Sequence, residues 1–171
     1  ILSIMKLPPY IIFPVLEGEK VTLREVCDSD IQDLMEISCY DSIPAKNLEE
    51  AKEMQERIDK DYEEGNTVHW MIIDNASGKI VGTCGYYRGF ENESGELGFI
   101  LLAGYRGQGF MTAAIQLAID FGKKDMELKR IWAATNRKNE KCIAVLERLN
   151  FIKIAILPDD EIEYEYRTDN S

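Results

Sequence analysis

Residues 95–122 read GELGFILLAGYRGQGFMTAAIQLAIDFG, and this stretch decides how the rest of the chain is interpreted. The apolar run at 97–102 has the length and composition of a buried strand. A turn rich in small residues follows it, up to Gly109. Apolar residues then recur at helical spacing, and Gly122 stands where a glycine is expected to end the helix. The order is therefore strand, glycine-rich turn, helix.

The turn predicts an anion site at the start of this helix. The first backbone N–H groups of a helix lack internal partners, and the helix dipole places about half a positive charge there. Gly107 and Gly109 have no Cβ to hold a phosphate away from those donors, and Arg106 adds a cation. The spacing is not that of a P-loop, and Thr112 stands where GxGxxG needs a third glycine. We therefore expect a pyrophosphate-binding turn outside these two classes.

The length of 171 residues predicts a single globular domain, which we place at 14–171 after an N-terminal arm at 1–13. The four cysteines have no C-x-x-C spacing, and the single histidine, His69, cannot complete a zinc set, so no metal is expected. Reduced thiols predict a cytoplasmic protein. No apolar run approaches the roughly 20 residues that a membrane-spanning helix needs, so no membrane partner is expected.

The charge is unevenly distributed along the chain. The net charge of −11 argues against nucleic acid as a partner, because phosphates require a surface rich in Lys and Arg. The segment 104–153 carries ten Lys and Arg against five Asp and Glu, whereas the remainder carries ten against twenty-six. The segment with the predicted anion site is thus basic within an acidic protein. This polarity fits an anionic coenzyme on one side and a cationic amine substrate on the other.

Hydrophobic periodicity predicts the element order β-α-α-β-β-β-α-β-α-β-β, which is typical of an α/β domain with a mixed central sheet flanked by helices. The first predicted strand is Lys20-Val-Thr-Leu-Arg24, and a closing hairpin spans 151–166. Glu49, Glu50, Glu53 and Glu56 lie on the polar side of the second predicted helix. We expect these glutamates to border the groove that receives the cationic substrate.

Four ordered segments of the chain resemble the GNAT superfamily of acetyl-CoA-dependent N-acetyltransferases. The turn from Arg106 to Met111 is similar to its coenzyme-A loop, Q/R-x-x-G-x-G/A. The segments at 20–30, at 96–99 and at 139–151 resemble the branch that acetylates the N-termini of ribosomal proteins at serine or alanine. In the last segment Cys142 replaces a serine and Asn150 a glycine. The resemblance implies a GNAT-like acyl-CoA N-acyltransferase fold.

The resemblance also implies which residues would bind acetyl-CoA. Backbone groups of Phe99, Ile100 and Leu101 would pair with the pantetheine arm, and Asn139 would contact the coenzyme near it. The pyrophosphate would be held by the turn and the first residues of the helix, namely Arg106, Gly107, Gln108, Gly109, Met111 and Thr112. The 3′-phosphate has three candidate partners in Arg137, Lys138 and Lys141.

The catalytic groups are less well defined by the resemblance. A tyrosine acid and a glutamate base that occur in related enzymes are replaced here by Leu146 and Ala134. Glu96 is our candidate base, acting through water, and Cys142 our candidate proton donor to the departing sulfur. Cys142 lacks a histidine partner for a nucleophilic role. Core packing is expected for His69 and Trp70, although Trp70 could also form the floor of an acceptor slot. Tyr86 and Tyr87, on the neighbouring strand, are similar candidates.

The sequence leaves the acceptor open between a protein N-terminus, a polyamine and an aminoglycoside, all of which are cationic. It also leaves open a catalytically silent domain that binds coenzyme A, and a homodimer.

Overall fold

The computed structural model describes residues 6–168. This part of the chain contains ten strands and four α-helices. The strands are β1 (Leu16–Glu17), β2 (Val21–Arg24), β3 (Cys39–Tyr40), β4 (Ile43–Pro44), β5 (Val68–Asp74), β6 (Ile80–Tyr87), β7 (Ser94–Leu101), β8 (Arg130–Asn136), β9 (Phe151–Ile156) and β10 (Glu161–Tyr166). The helices are α1 (Ile31–Leu34), α2 (Leu48–Glu63), α3 (Phe110–Lys124) and α4 (Glu140–Arg148).

Eight of the strands form one mixed sheet in the order β1-β2-β5-β6-β7-β8-β10-β9. Neighbouring strands are antiparallel except for β7 and β8, which run parallel. Helix α3 connects these two strands, as a parallel pair requires. The predicted mixed α/β sheet is confirmed.

The two faces of the sheet bury different hydrophobic cores, because side chains alternate along each strand. Val68, Trp70 and Ile72 of β5 point into the larger core, which packs against α3 and α4. Met71, between them in sequence, points to the other face and joins a smaller core with residues of α1 and α2. Helices therefore cover both faces. On the face of the smaller core, a space remains between the sheet and α2.

Helix α1, at the position of the first predicted helix, is a single α-turn between two 3₁₀ turns. Three short strands near the N-terminus were not predicted from the sequence. Strand β1 has two residues, and β3 and β4 form a two-stranded hairpin separate from the main sheet. Segments this short carry too few residues to display a period.

Gly122 does not end helix α3, contrary to our prediction, because the helix continues to Lys124. Its role is to let the helix approach the sheet. The hydroxyl of Tyr86, from β6, donates a hydrogen bond of 2.7 Å to the carbonyl of Ala118, one turn before Gly122. A Cβ at position 122 would collide with that hydroxyl and come within 2.9 Å of Tyr86 Cζ.

The described part of the N-terminal arm packs against the domain. The Tyr10 ring lies 5.8 Å from that of Phe121, and the Phe13 ring lies 5.2 Å from that of Tyr62. Residues 1–5 of the arm lie outside the described residues.

We predict that Gly122→Ala destabilises the protein, although alanine is the better helix former. The added methyl group must displace the buried Tyr86 ring or the helix, and such overpacking costs about 1–3 kcal/mol. Chemical denaturation would measure the change in the free energy of unfolding. Gly104→Ala is the control, because a Cβ at position 104 has no atom within 4 Å. An increase in stability for Gly122→Ala would contradict this account.

Candidate active site

Strands β7 and β8 part after a short paired segment, and this opening is the main feature of the candidate site. Only Ser94–Glu96 of β7 pair with Arg130–Trp132 of β8. Beyond this point β7 continues to Leu101 along β6, and β8 continues to Asn136 along β10. Each strand therefore has one partner and one unpaired edge, and the two edges face the same opening.

A cavity of about 1190 Å³ occupies this opening and extends beneath α2. Its wall at the opening includes Phe99 and Ile100 of β7 and Thr135 of β8. The part beneath the helices is walled by apolar side chains, among them Leu34, Ile37, Ala51, Met54 and Ile58. The cavity is large enough for a coenzyme arm and an acceptor to meet.

The glycine turn for which we predicted an anion site lies at the start of α3. Gly107 and Gly109 both have positive φ, 75° and 83°, a conformation that favours glycine, and Gly109 is the N-cap of the helix. A Cβ at Gly107 would meet no protein atom within 4 Å, so the space beside the turn is open. The side chain of Gln108 folds back and donates to the carbonyl of Gly104 at 3.1 Å. The backbone of the turn therefore borders an open space.

Two cations that we did not predict from the sequence converge on this turn. The Nζ of Lys20 lies 3.7 Å from the position of a Cβ on Gly109 and 4.8 Å from the centre of the Phe110 ring. Arg148, at the end of α4, contacts the Thr112 hydroxyl at 3.4 Å. Among the described residues, neither cation forms an ion pair with a carboxylate. No sequence signal indicated them, because they come from elements distant in the chain.

Glu96 lies at the last paired position of β7, where the opening begins. Arg88 donates to its Oε1 at 2.7 Å and also contacts Asp41, at the tip of the β3–β4 hairpin, at 3.3 Å. Burial raises the pKa of Glu96 above its usual value, and Arg88 opposes this shift. The carboxylate is therefore partly desolvated and held in position by an arginine.

Cys142 lies in the first turn of α4, next to the unpaired end of β8. Its backbone N–H donates to the Oδ1 of Asn139, which caps the helix, at 3.2 Å. Burial raises the pKa of this thiol above its usual value, and the neighbouring Thr135 side chain, on the cavity wall, opposes this shift. Cys142 is thus a protonated thiol at neutral pH, which suits a proton donor better than a nucleophile.

The glutamates that we expected to border the groove lie elsewhere. None of Glu49, Glu50, Glu53 and Glu56 contributes to the cavity wall, because α2 turns its apolar face and Asp61 toward the cavity. Within residues 6–168, one cation, Arg88, and five carboxylates line the cavity, the latter being Asp41, Asp61, Glu91, Glu96 and Glu161. The groove is acidic, but its charge comes from other elements.

The four aromatic candidates divide between the two faces of the sheet. Trp70 and Tyr86 are fully buried in the larger core. His69 and Tyr87 point to the opposite face and line the cavity, where the Tyr87 hydroxyl lies 2.6 Å from His69 Nδ1. Burial lowers the pKa of His69 to about 4, so the imidazole is neutral at pH 7.

In the described part of the chain, no group of three or more His, Cys, Asp or Glu side chains could hold a metal ion. None of the helices between residues 6 and 168 is both long and apolar enough to cross a membrane.

Comparisons with known proteins agree with this geometry. Residues 20–152 match the family described as "Acetyltransferase (GNAT) domain". The chain is 32% identical over 154 residues to a Bacillus licheniformis protein named "Uncharacterized N-acetyltransferase p20", a match that covers 85% of this chain and 86% of the relative.

Solved structures share the fold at low sequence identity. The Ribosomal-protein-S5-alanine Acetyltransferase from Vibrio fischeri is 23% identical with a TM-score of 0.71, covering 92% of this chain and 98% of that one. A chimera of the spermidine N-acetyltransferase SpeG from Vibrio cholerae is 18% identical with a TM-score of 0.73, covering 86% and 95%. RimL, a ribosomal α-N-protein acetyltransferase in complex with coenzyme A, is 16% identical with a TM-score of 0.74, covering 92% and 100%.

The family match, which spans most of the chain, agrees with the parted strands and the glycine turn before α3. The chain belongs to the GNAT family of N-acetyltransferases.

Proposed function

We propose that this protein transfers the acetyl group of acetyl-CoA to a primary amine, by direct attack of the amine on the thioester. The observation that carries the proposal is the opening between β7 and β8, which leads to the glycine turn at the start of α3. The opening can receive the extended pantetheine arm of coenzyme A, which carries amide groups. The glycine turn can receive the pyrophosphate at the end of that arm.

Coenzyme A would bind along the unpaired edge of β7. The pantetheine arm carries amide groups, which can pair with the backbone of Phe99, Ile100 and Leu101 as an added strand does. Its pyrophosphate would lie against Arg106, Gly107, Gln108, Gly109, Met111 and Thr112, at the positive end of the α3 dipole. Lys20 and Arg148 add positive charge at the same place. Asn139 would contact the coenzyme from the start of α4.

The transfer forms a bond between the amine nitrogen and the acetyl carbon and breaks the bond from that carbon to sulfur. An acceptor that arrives as an ammonium first releases one proton to solvent. In the transfer itself the amine must lose a proton, and the thiolate must gain one. Glu96 would accept the first proton through water, since its raised pKa makes it a better base than an exposed glutamate. Cys142 would supply the second, since burial raises the pKa of its thiol and keeps it protonated at neutral pH.

The acceptor that we favour is the N-terminal amine of a ribosomal or other protein. A cavity of about 1190 Å³, with apolar walls and an acidic rim, could accommodate the first residues of a polypeptide. A small cationic amine, such as a polyamine or an aminoglycoside, is the alternative, and the acidic lining suits it equally. Of the three solved structures described above, two are named for ribosomal proteins and one for spermidine. Turnover with a panel of peptides and amines would decide between them.

The second candidate function is coenzyme binding without catalysis. It is favoured by the apolar residues at the two positions where related enzymes have an acid and a base, because Leu146 is fully buried and Ala134 lines the cavity. The same turnover measurement separates it from the proposed enzyme.

We predict that Gly109→Asp abolishes the binding of acetyl-CoA. The carboxylate would occupy the pyrophosphate position and repel its charge, and Asp is among the residues that best tolerate a positive φ. Isothermal titration calorimetry would measure the affinity, and thermal unfolding would confirm that the variant folds. Gly104→Asp is the matched control, because it adds the same charge to the turn where a Cβ meets no atom within 4 Å. Unchanged affinity in folded Gly109→Asp would refute the assignment of the site.

We predict that Glu96→Gln lowers kcat by about 100-fold or more, as loss of a general base does, with little change in coenzyme affinity. Arg88→Met should raise the pKa of Glu96 further, because it removes the charge that opposes burial. Since the base works when deprotonated, the acidic limb of the kcat/KM profile should move to higher pH.

Arg24→Met is the control for this pH profile, because Arg24 pairs with Asp30 away from the cavity. Near-normal turnover of Glu96→Gln, or an acidic limb that Arg88→Met does not move, would mean that Glu96 is not the base.

A further inference from the structure

Two glycines face each other on the cavity side of the sheet, Gly85 on β6 and Gly98 on β7. Glycine in the middle of a strand commonly marks a place where another group must approach the backbone closely. At Gly98 the approaching group is the side chain of Tyr87, and at Gly85 it is the backbone of β5 together with the Tyr87 hydroxyl. A Cβ on Gly98 would lie 2.9 Å from two ring carbons of Tyr87, and a Cβ on Gly85 would lie 3.0 Å from its hydroxyl. The Tyr87 ring therefore lies flat along the sheet, across both glycines.

A hydrogen bond fixes the ring in this position. The Tyr87 hydroxyl lies 2.6 Å from Nδ1 of His69, which stands opposite Gly85 on β5. Burial lowers the pKa of His69 and raises that of Tyr87, so both groups are neutral at physiological pH. The pair adds no charge to the cavity and holds one aromatic ring in one orientation.

Tyr87 and the candidate base are neighbours in the sheet. Tyr87 stands opposite Glu96 in the register of β6 and β7, and both side chains line the cavity. Arg88 contacts only Oε1 of Glu96, and Oε2 has no hydrogen-bond partner among residues 6–168. The helices on the other side of the cavity contribute aliphatic side chains such as Met54 and Ile58. Beside Glu96, a cation that enters this space meets the free Oε2 and the Tyr87 ring. The other ring that pairs with Glu96, that of Trp132, already has the Arg130 guanidinium 5.5 Å from its centre.

We propose that Tyr87 is a specificity-determining residue, on whose ring the ammonium group of the acceptor is held beside Glu96 before transfer. This inference rests on the proposed function, because it assigns a binding position to the acceptor of that reaction. The ring face is electron-rich and attracts a cation within about 6 Å of its centre. A neutral isostere of the acceptor lacks that attraction. If the ring only filled the space above the two glycines, its removal would change the binding of the cationic acceptor and of the neutral isostere equally.

The test compares a charged and a neutral probe, 2-phenylethylammonium and 2-phenylethanol, whose binding to the free enzyme is measured by NMR titration. We expect the wild-type protein to prefer the ammonium. Tyr87→Leu should reduce the ratio of the two affinities by about 3- to 10-fold, the range of a partly desolvated cation–π contact. Tyr87→Phe keeps an electron-rich ring and should retain most of the ratio. Tyr166→Leu, on β10 away from the cavity, is the matched control and should leave the ratio unchanged.

An equal loss of affinity for both probes in Tyr87→Leu, or an unchanged ratio, would overturn the inference. Thermal unfolding would establish that each variant folds. Tyr87→Met, whose longer unbranched side chain reaches further across the glycines, replaces Tyr87→Leu if that variant does not fold. The titration contains no acetyl-CoA, so its result is independent of catalysis. Failure of wild-type turnover with every amine would count against the proposed function and leave this ratio as a separate result.

Discussion

Three residue pairs between Ser94–Glu96 and Arg130–Trp132 hold the two halves of the central sheet together, and the opening beyond them positions every other candidate functional group. A strand edge that faces such an opening carries unpaired backbone N–H and C=O groups, which need a partner. Closing the opening by further pairing of β7 with β8 would satisfy those groups but remove the cavity. The large core, in which Tyr86 binds the backbone of α3, holds β6, β7 and α3 together and so keeps the opening in place.

The two ends of the opening carry charges of opposite sign. Lys20, Arg106 and Arg148 surround the start of α3, where the helix dipole is also positive. At the other end carboxylates line the cavity, and Arg88 is the one cation that the described residues place among them. An anionic coenzyme and a cationic amine would thus approach from different sides. Glu96 lies between them, at the point where the strands part.

Much of this arrangement could be predicted from the sequence. The order of the main strands and helices follows from periodicity, and the turn at 106–109 follows from its glycines, whose positive φ values explain why they are there. Gly122 misled us because a glycine needed for close packing and a glycine that ends a helix look the same in a sequence. Its partner, Tyr86, lies 36 residues earlier in the chain.

The remaining features of the site could not be predicted because they depend on tertiary contacts. The acidity of the groove was predicted, but we assigned it to the polar face of α2, which points to solvent. Lys20 and Arg148 reach the glycine turn only because β2 and α4 fold beside it. The Tyr87–His69 contact likewise needs the register of two strands, and the two glycines that make room for it have no distinctive spacing.

The central claim is that the unpaired edge of β7 receives the pantetheine arm of the coenzyme. Hydrogen exchange of the backbone amides of Phe99, Ile100 and Leu101, measured with and without coenzyme A, tests it most directly. The account predicts that those amides of this segment that do not bond to β6 become protected when coenzyme A is added, whereas amides of β9, at the outer edge of the sheet, do not. Saturation with coenzyme A that leaves exchange along 99–101 unchanged would contradict it.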